Sequence, residues 1–352
     1  MAQGFTLNST VTPYAIPLYA VTSWPAQNDT NPERRTWLVP LSSCLLALST
    51  LVLFVRIYSR TAGFSGKLGL DDALITVAWV FATIFTGFTI LGVERPGFDR
   101  HVWDLPINAW VRDGFLSWIC MILFHISTCL TKISILLFYR RLTVRSYNST
   151  AQKAIYVAIT FTIFFLLAFG LSLIFICVPT SASWTGMDIF SSKMYKCHSR
   201  RIADILHGTL SIITDLYVLI IPNLVVMNMQ LPRKQKLMLY AIFSCGSITI
   251  VSAISRTYWL VFLHTDPIHD ISWTGYNVFV WSQIELHSAL ICASAPAIKG
   301  ITVAAAQTVI KRLGSVKKEP FSSYNQDDYY ANCDLEKSGL SVSISTANKN
   351  ND

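Results

Sequence analysis

Apolar residues dominate seven stretches of the chain, at 38–57, 71–92, 116–138, 154–178, 205–227, 237–263 and 275–296. A helix needs about 20 residues to cross the hydrocarbon core of a bilayer, and each run is close to that length. No water reaches the backbone there, so runs of this kind must close their hydrogen bonds internally and read as helices. The first, fourth, sixth and seventh are the clearest; polar residues interrupt the second, third and fifth. Charged residues make up only 14% of the chain and hydrophobic ones 52%, against roughly 25% charged in a soluble domain. The pattern predicts an all-α membrane protein, a seven-transmembrane helix bundle over residues 38–300. Residues 1–37 are expected to be an extracytoplasmic N-terminal segment and 301–352 a cytoplasmic tail, with too little apolar surface after about residue 314 to fold.

Charge sets the expected orientation. Loops 56–70, 139–153 and 230–236 and the early tail 297–318 carry 15 Lys and Arg, against 9 on the other side. The basic side belongs in the cytoplasm, which puts the N-terminus outside and the tail inside. No basic segment feeds a short apolar core near the N-terminus, so the first span is expected to act as the insertion signal. The sequons at Asn8 and Asn28 then lie outside, where glycosylation occurs, and that at Asn148 lies inside. The net charge of +8 suits an anionic inner leaflet and does not point to nucleic acid.

Ionisable residues inside the spans are costly in lipid and should face the bundle interior in pairs. They fall into two layers. In the inner layer Asp71 and Asp72 open the second span, and Lys132 lies at a matching depth on the third, so an inner polar pair Asp72–Lys132 is expected. Helix capping is the plain alternative for the aspartates, and snorkelling for the lysine. In the outer and middle layer Asp204, Gly208, Ser211 and Asp215 recur on one face of the fifth span, with His207 beside them. Arg256 on the sixth span has two candidate acids, Asp215 and Glu285. Glu285 is favoured, because a short loop makes spans six and seven antiparallel neighbours. Glu285 and His287 point about 200° apart on a helix. Glu285, with Trp281 and Ser288, is expected to look into the bundle. His287, with Gln283, is expected to bond a neighbouring helix.

The eight cysteines show no metal spacing. Cys177 and Cys197 bracket the loop after span four, on the oxidising side, where a disulfide would pin that loop over the bundle mouth. Cys120 is the competing partner. The histidines and aspartates of HTDPIHD (264–270) lack the regular spacing of a metal site. No cofactor and no metal are expected.

The chain resembles the fungal rhodopsin-domain family of seven-span integral membrane proteins. The resemblance rests on GLDD at 69–72, KISILLFYRR at 132–141, CVPTSASW at 177–184 with Cys197 following, and Asp215 with Pro222. Gly246 through Arg256 and IELHSALICASAP ending at Pro296 complete it, over about residues 40–300. It implies a seven-helix fold and either a receptor-like role or membership of a secondary-metabolite gene cluster. The last span holds no lysine for a retinal Schiff base, which argues against light capture despite the family name.

These observations support a receptor-like protein binding an unknown small ligand in an intramembrane polar cavity. Asp215, Arg256, Glu285 and His207 would line the cavity and a Cys177–Cys197 loop would cover it. Basic cytoplasmic loops would meet a signalling protein. The alternative is a membrane-embedded enzyme of cyclase or isomerase type acting on an apolar metabolite, with Asp215 and Glu285 as an acid–base couple. No paired broken helices or internal repeat point to a transporter.

Overall fold

The structure, a computed structural model, describes residues 18–28, 30–63, 68–95, 97–143, 149–186, 196–227 and 233–313. The sequons at Asn8 and Asn148 and the tail from residue 314 onward lie outside the described residues.

The elements in chain order are α1 (Leu18–Ser23), α2 (Leu38–Thr61), α3 (Leu70–Glu94), a 3-10 turn (Val102–Asp104), α4 (Ile107–Thr143), α5 (Ser149–Phe175), β1 (Cys177–Val178), α6 (Ala182–Thr185), β2 (Lys196–Cys197), α7 (Arg200–Met227), α8 (Arg233–Thr265) and α9 (Ile271–Leu313). Seven of them, α2, α3, α4, α5, α7, α8 and α9, are long and apolar enough to cross a membrane. The bundle lies in the first of two compact units, Met1–Ala304. α4, the third span, begins at Ile107, earlier than the apolar run at 116, and its first turns carry the polar residues Arg112 and Asp113 that kept them out of that run.

The bundle is polar inside and apolar outside. Along α5 the exposed residues Val157, Phe161, Phe164, Leu167, Leu171 and Phe175 recur every three or four positions, the spacing of one helix face. Polar groups go inward instead: Ser49, Thr86, Ser127, Thr131, Lys132, Arg256, Gln283, Glu285 and His287 are all buried. Between them a central apolar layer of Ile75, Phe85, Phe124, Leu136 and Leu286 packs the helices together. α3 packs most extensively on α4, and α7 on α8. Gly208 serves the second of these contacts, since a Cβ there would stand 2.6 Å from Thr257 on α8.

One face of the bundle, which carries residues 18–37, is closed by aromatic and ionic contacts. The indole N–H of Trp24 donates to the Ile268 carbonyl at 2.8 Å, and its ring lies against Trp103 and Trp110. Arg35 stacks 3.5 Å over the Trp273 ring. His101 lies between Trp103 and Trp273 and bonds Asp270. On the same face β1 pairs antiparallel with β2, with Cys177 opposite Cys197, and the two cysteines form a disulfide. The competing cysteine, Cys120, is a free buried thiol. Asn28 is exposed on this face; its side chain accepts from Thr30 and Asn31 and donates to the Asn31 carbonyl.

Candidate functional site

Four helices bring their ionisable residues together in the middle of the bundle. Arg256 on α8 donates from Nε to Glu285 Oε2 on α9 at 2.7 Å, with a second, longer contact of 3.4 Å to Oε1. Glu285 is 1% exposed and Arg256 2%, so the pair is dry, and the guanidinium rests 4.8 Å from the Phe124 ring centroid. Lys132 on α4 meets Asp215 Oδ1 on α7 at 3.1 Å and donates to the Thr214 hydroxyl at 2.7 Å. Ser211 joins the two pairs, accepting from Lys132 at 3.2 Å and facing Glu285 Oε1 at 3.5 Å. Two cations and two carboxylates thus sit in one connected, charge-balanced network. Asp215 Oδ2 is buried and accepts no hydrogen bond among the described residues.

The expected Asp72–Lys132 pair is not the one formed, although both residues are buried. Lys132 reaches α7 instead, and the other side of α3 meets two arginines of α2. Arg56 donates to Asp72 Oδ1 and Asp71 Oδ2, each at 2.9 Å, and Arg60 lies 3.2 Å from Asp71. Arg141 on α4 adds a contact of 2.9 Å to Asp71. Matched depth along two helices does not fix their rotation, and the guanidinium groups reach these carboxylates first. Asp72 also caps its helix, accepting from the Gly69 N–H at 3.1 Å. Arg56 further donates to the Ala293 carbonyl of α9, so this ionic cluster ties α2, α3, α4 and α9 at the face opposite residues 18–37.

A cavity of about 140 Å³ lies between the core network and the face that carries residues 18–37. Its walls are mostly apolar, including Phe85, Leu105, Phe124, Phe169, Leu260 and Phe279, and Arg256 and His207 lie on its lining. Asp215 and Glu285 are not among its lining residues; Arg256, which is, holds Glu285 and lies over Phe124. This corrects the expectation that all four would line one pocket. Asp204, at the outer end of the α7 stripe, also lines it while bonding His264 at 3.0 Å.

His207 Nε2 lies 3.0 Å from His125 Nδ1, and His125 Nε2 lies 3.2 Å from the Leu166 carbonyl. A carbonyl only accepts, so in neutral rings His125 carries its proton on Nε2 and receives one from His207, assigned from these partners. His207 Nδ1 is then left as an acceptor. His287 behaves as its face suggests: Nδ1 meets Ser49 on α2 at 2.9 Å and Nε2 meets Thr86 on α3 at 3.1 Å.

Several of these residues escape a reading by sequence. His125 looks like one imidazole in an apolar run, and Arg56 like a loop residue at the end of the first span. Only the three-dimensional pairing shows that both are buried among partners. Trp110 and Asp113, which also line the cavity, lie outside the apolar run that marked the third span.

Comparison with known proteins decides the family. The model of the fungal rhodopsin domain matches residues 45–304. The chain belongs to the fungal rhodopsin domain family. It is therefore a multi-pass membrane protein. It is similar to the protein named Receptor GIN3 of Arthrobotrys oligospora, 26% identical over 81% of this chain and 67% of that protein. A polyenoic acids biosynthesis gene cluster protein, Ba17b of Metarhizium anisopliae, is 22% identical over 70% of this chain and 68% of its own length. Fugralins biosynthesis cluster protein 2 of Gibberella zeae is 22% identical over 84% of this chain and 72% of its own. No solved structure matches the chain.

Proposed function

We propose that this member of the fungal rhodopsin domain family is a receptor whose small, largely apolar ligand enters the cavity from outside. Residues 18–37 and the Cys177–Cys197 hairpin lie on the outer face in this reading, and glycosylation falls at Asn8 and Asn28. One observation carries it: Arg256 lies on the cavity lining while its other side is committed to Glu285. A ligand that touches Arg256 or His207 acts on a network that joins α4, α7, α8 and α9. On α9, Glu285 and Ala293 are about 12 Å apart at 1.5 Å per residue. A small movement of α9 would therefore be felt at the Arg56–Asp71–Asp72 cluster, a two-state element of the kind coupling requires. Basic cytoplasmic loops beside that cluster would present the change to a signalling protein.

The relative named a receptor supports this reading, and the two named as cluster proteins keep an enzyme in view. Catalysis would need a reacting group to reach Asp215 or Glu285, neither of which lines the cavity. Untargeted metabolite comparison of strains with and without the gene separates the two. A receptor leaves no single intermediate accumulated; accumulation of one intermediate, restored to normal by the wild-type gene but not by Asp215→Asn, overturns the receptor reading.

A further inference from the structure

Away from the cavity, a line of short side chains runs along the seam between α8 and α9. Thr249 and Ser288 meet across it, with their hydroxyl oxygens 3.1 Å apart. Side chains this short touch only where the helix backbones come close. The two helices run antiparallel, so one turn further along is four residues back on α8 and four residues on along α9. Those positions hold Cys245 and Cys292, and their thiols share a hydrogen bond. In the other direction the same seam carries the Arg256–Glu285 pair. The residue after Cys292, Ala293, gives its carbonyl to Arg56, so the thiol pair lies at the depth of the Arg56–Asp71–Asp72 cluster.

This pair differs from the other thiols in the core of the bundle. Cys120 and Cys129 are buried, whereas Cys245 and Cys292 are both partly exposed, so a small reagent reaches sulfur without unfolding the protein. A polar contact across the seam does not need sulfur, since a threonine and a serine make one a turn away. What sulfur adds is oxidation. A disulfide requires Cα atoms within about 7 Å and side chains turned toward each other. Two cysteines whose thiols hydrogen-bond across a close helix seam meet the second condition and approach the first. On the orientation proposed above, this end of the bundle faces the cytoplasm, where thiols rest reduced.

We propose that Cys245 and Cys292 form a reversible oxidation site whose oxidant is a hydroperoxide, and that the resulting disulfide clamps α8 to α9 at the inner end of their seam. In the first step one sulfur gives an electron pair to the terminal oxygen of the hydroperoxide. The O–O bond breaks, the thiol becomes a sulfenic acid, and water or an alcohol leaves. The second thiol then attacks the sulfenic sulfur; the S–S bond forms and a water leaves. Two thiols have lost two electrons and the hydroperoxide has gained them. Once linked, α8 and α9 no longer slide past each other beside the carbonyl that Arg56 holds. The site shares no residue with the cavity lining, so it stands whether or not a ligand enters there.

The test treats full-length protein in a lipid bilayer disc with hydrogen peroxide, which arrives from water, or with cumene hydroperoxide, which arrives from the bilayer. The product is digested without reduction and mapped by mass spectrometry. A peptide linking Cys245 to Cys292 is expected as the main cysteine product, formed about tenfold or more faster than any modification of buried Cys120 or Cys129 and reversed by dithiothreitol. Either hydroperoxide being the faster keeps the site and names the route of the oxidant. Cys292→Ala should abolish the link, with thermal unfolding to confirm the fold, and Cys245→Ala serves if that variant does not fold. Hydrogen–deuterium exchange reads the clamp: amides of α8 and α9 near the bridge should exchange about tenfold more slowly in the linked protein and recover on reduction. Sulfinic acids without a link, or a link from either cysteine to Cys44 or Cys333 instead, overturns the site. A linked protein whose exchange is unchanged overturns the clamp, and neither result alters the reading of the cavity.

Discussion

Glu285→Gln removes one charge from the centre of the bundle and leaves Arg256 in place. At an effective dielectric of about 20, two unit charges about 3 Å apart attract by roughly 5–6 kcal/mol before desolvation is counted. Part of that is offset by drying both groups, and truncating one partner of a buried pair characteristically costs about 3–5 kcal/mol. Glu285 and Arg256 are both nearly inaccessible, so water cannot relieve the stranded guanidinium. The Phe124 face beneath it returns only about 1–2 kcal/mol. We expect a net loss of about 3 kcal/mol, which for a chain of this size, at about 2.1 cal/mol/K per residue, lowers the midpoint of thermal unfolding by roughly 4 °C. The assay is thermal unfolding in detergent, run as a double-mutant cycle with Arg256→Met, Glu285→Met and the double variant. Because a buried pair can be replaced by well-packed apolar residues at little cost, the double variant should be more stable than either single one. Single effects that add to within about 0.5 kcal/mol would refute the idea that these two side chains act as a unit.

Three further outcomes follow from other parts of the molecule. Arg56→Gln leaves Asp71 with Arg60 and Arg141 and Asp72 with only the longer 3.5 Å contact to Arg60, and should cost about 3 kcal/mol, the low end for a broken buried pair, read by the same unfolding assay. Cys197→Ser opens a closed loop with a sequence separation of 20 and should cost about 3 kcal/mol by loop-closure entropy; non-reducing peptide mapping of the wild type should return the two cysteines in one linked species. Burial holds the Asp270 carboxyl above its ordinary value, a shift opposed by hydrogen bonds from His101, Val102 and Trp273. A carboxyl with a raised folded-state pKa favours the fold at pH below the unfolded value of 3.8, and that contribution is lost as pH rises through the folded value. Asp270→Asn should therefore flatten the fall in stability as pH rises above 3.8, measured as unfolding midpoint against pH.

The span pattern was legible because lipid imposes it: a length near 20 residues and an apolar outer stripe leave little choice. The two faces of the seventh span were also legible, since a helix fixes the angle between Glu285 and His287. Pairing across helices was legible only where the chain constrains it. The short connection between α8 and α9 brings Arg256 to Glu285. Lys132 and Asp72 share a depth but no such constraint, and the rotation of α4 turns the lysine toward Ser211, Thr214 and Asp215. The cavity lining was less legible still. It depends on where one long side chain lies: Arg256 lines the cavity and holds Glu285, while neither carboxylate lines it. Asp113 and Trp110 draw no notice in a search for apolar runs, yet both line the cavity.

The most direct measurement is chemical labelling of Cys120, a free thiol on the cavity wall. In a variant that keeps the Cys177–Cys197 disulfide and has serine at Cys44, Cys129, Cys245, Cys292 and Cys333, a small methanethiosulfonate reagent would be followed by mass spectrometry in the folded and the unfolded protein. Slow labelling of the folded protein is the expected result. A Cys120 that reacts only after unfolding would contradict a ligand-accessible cavity beside the Arg256–Glu285 pair.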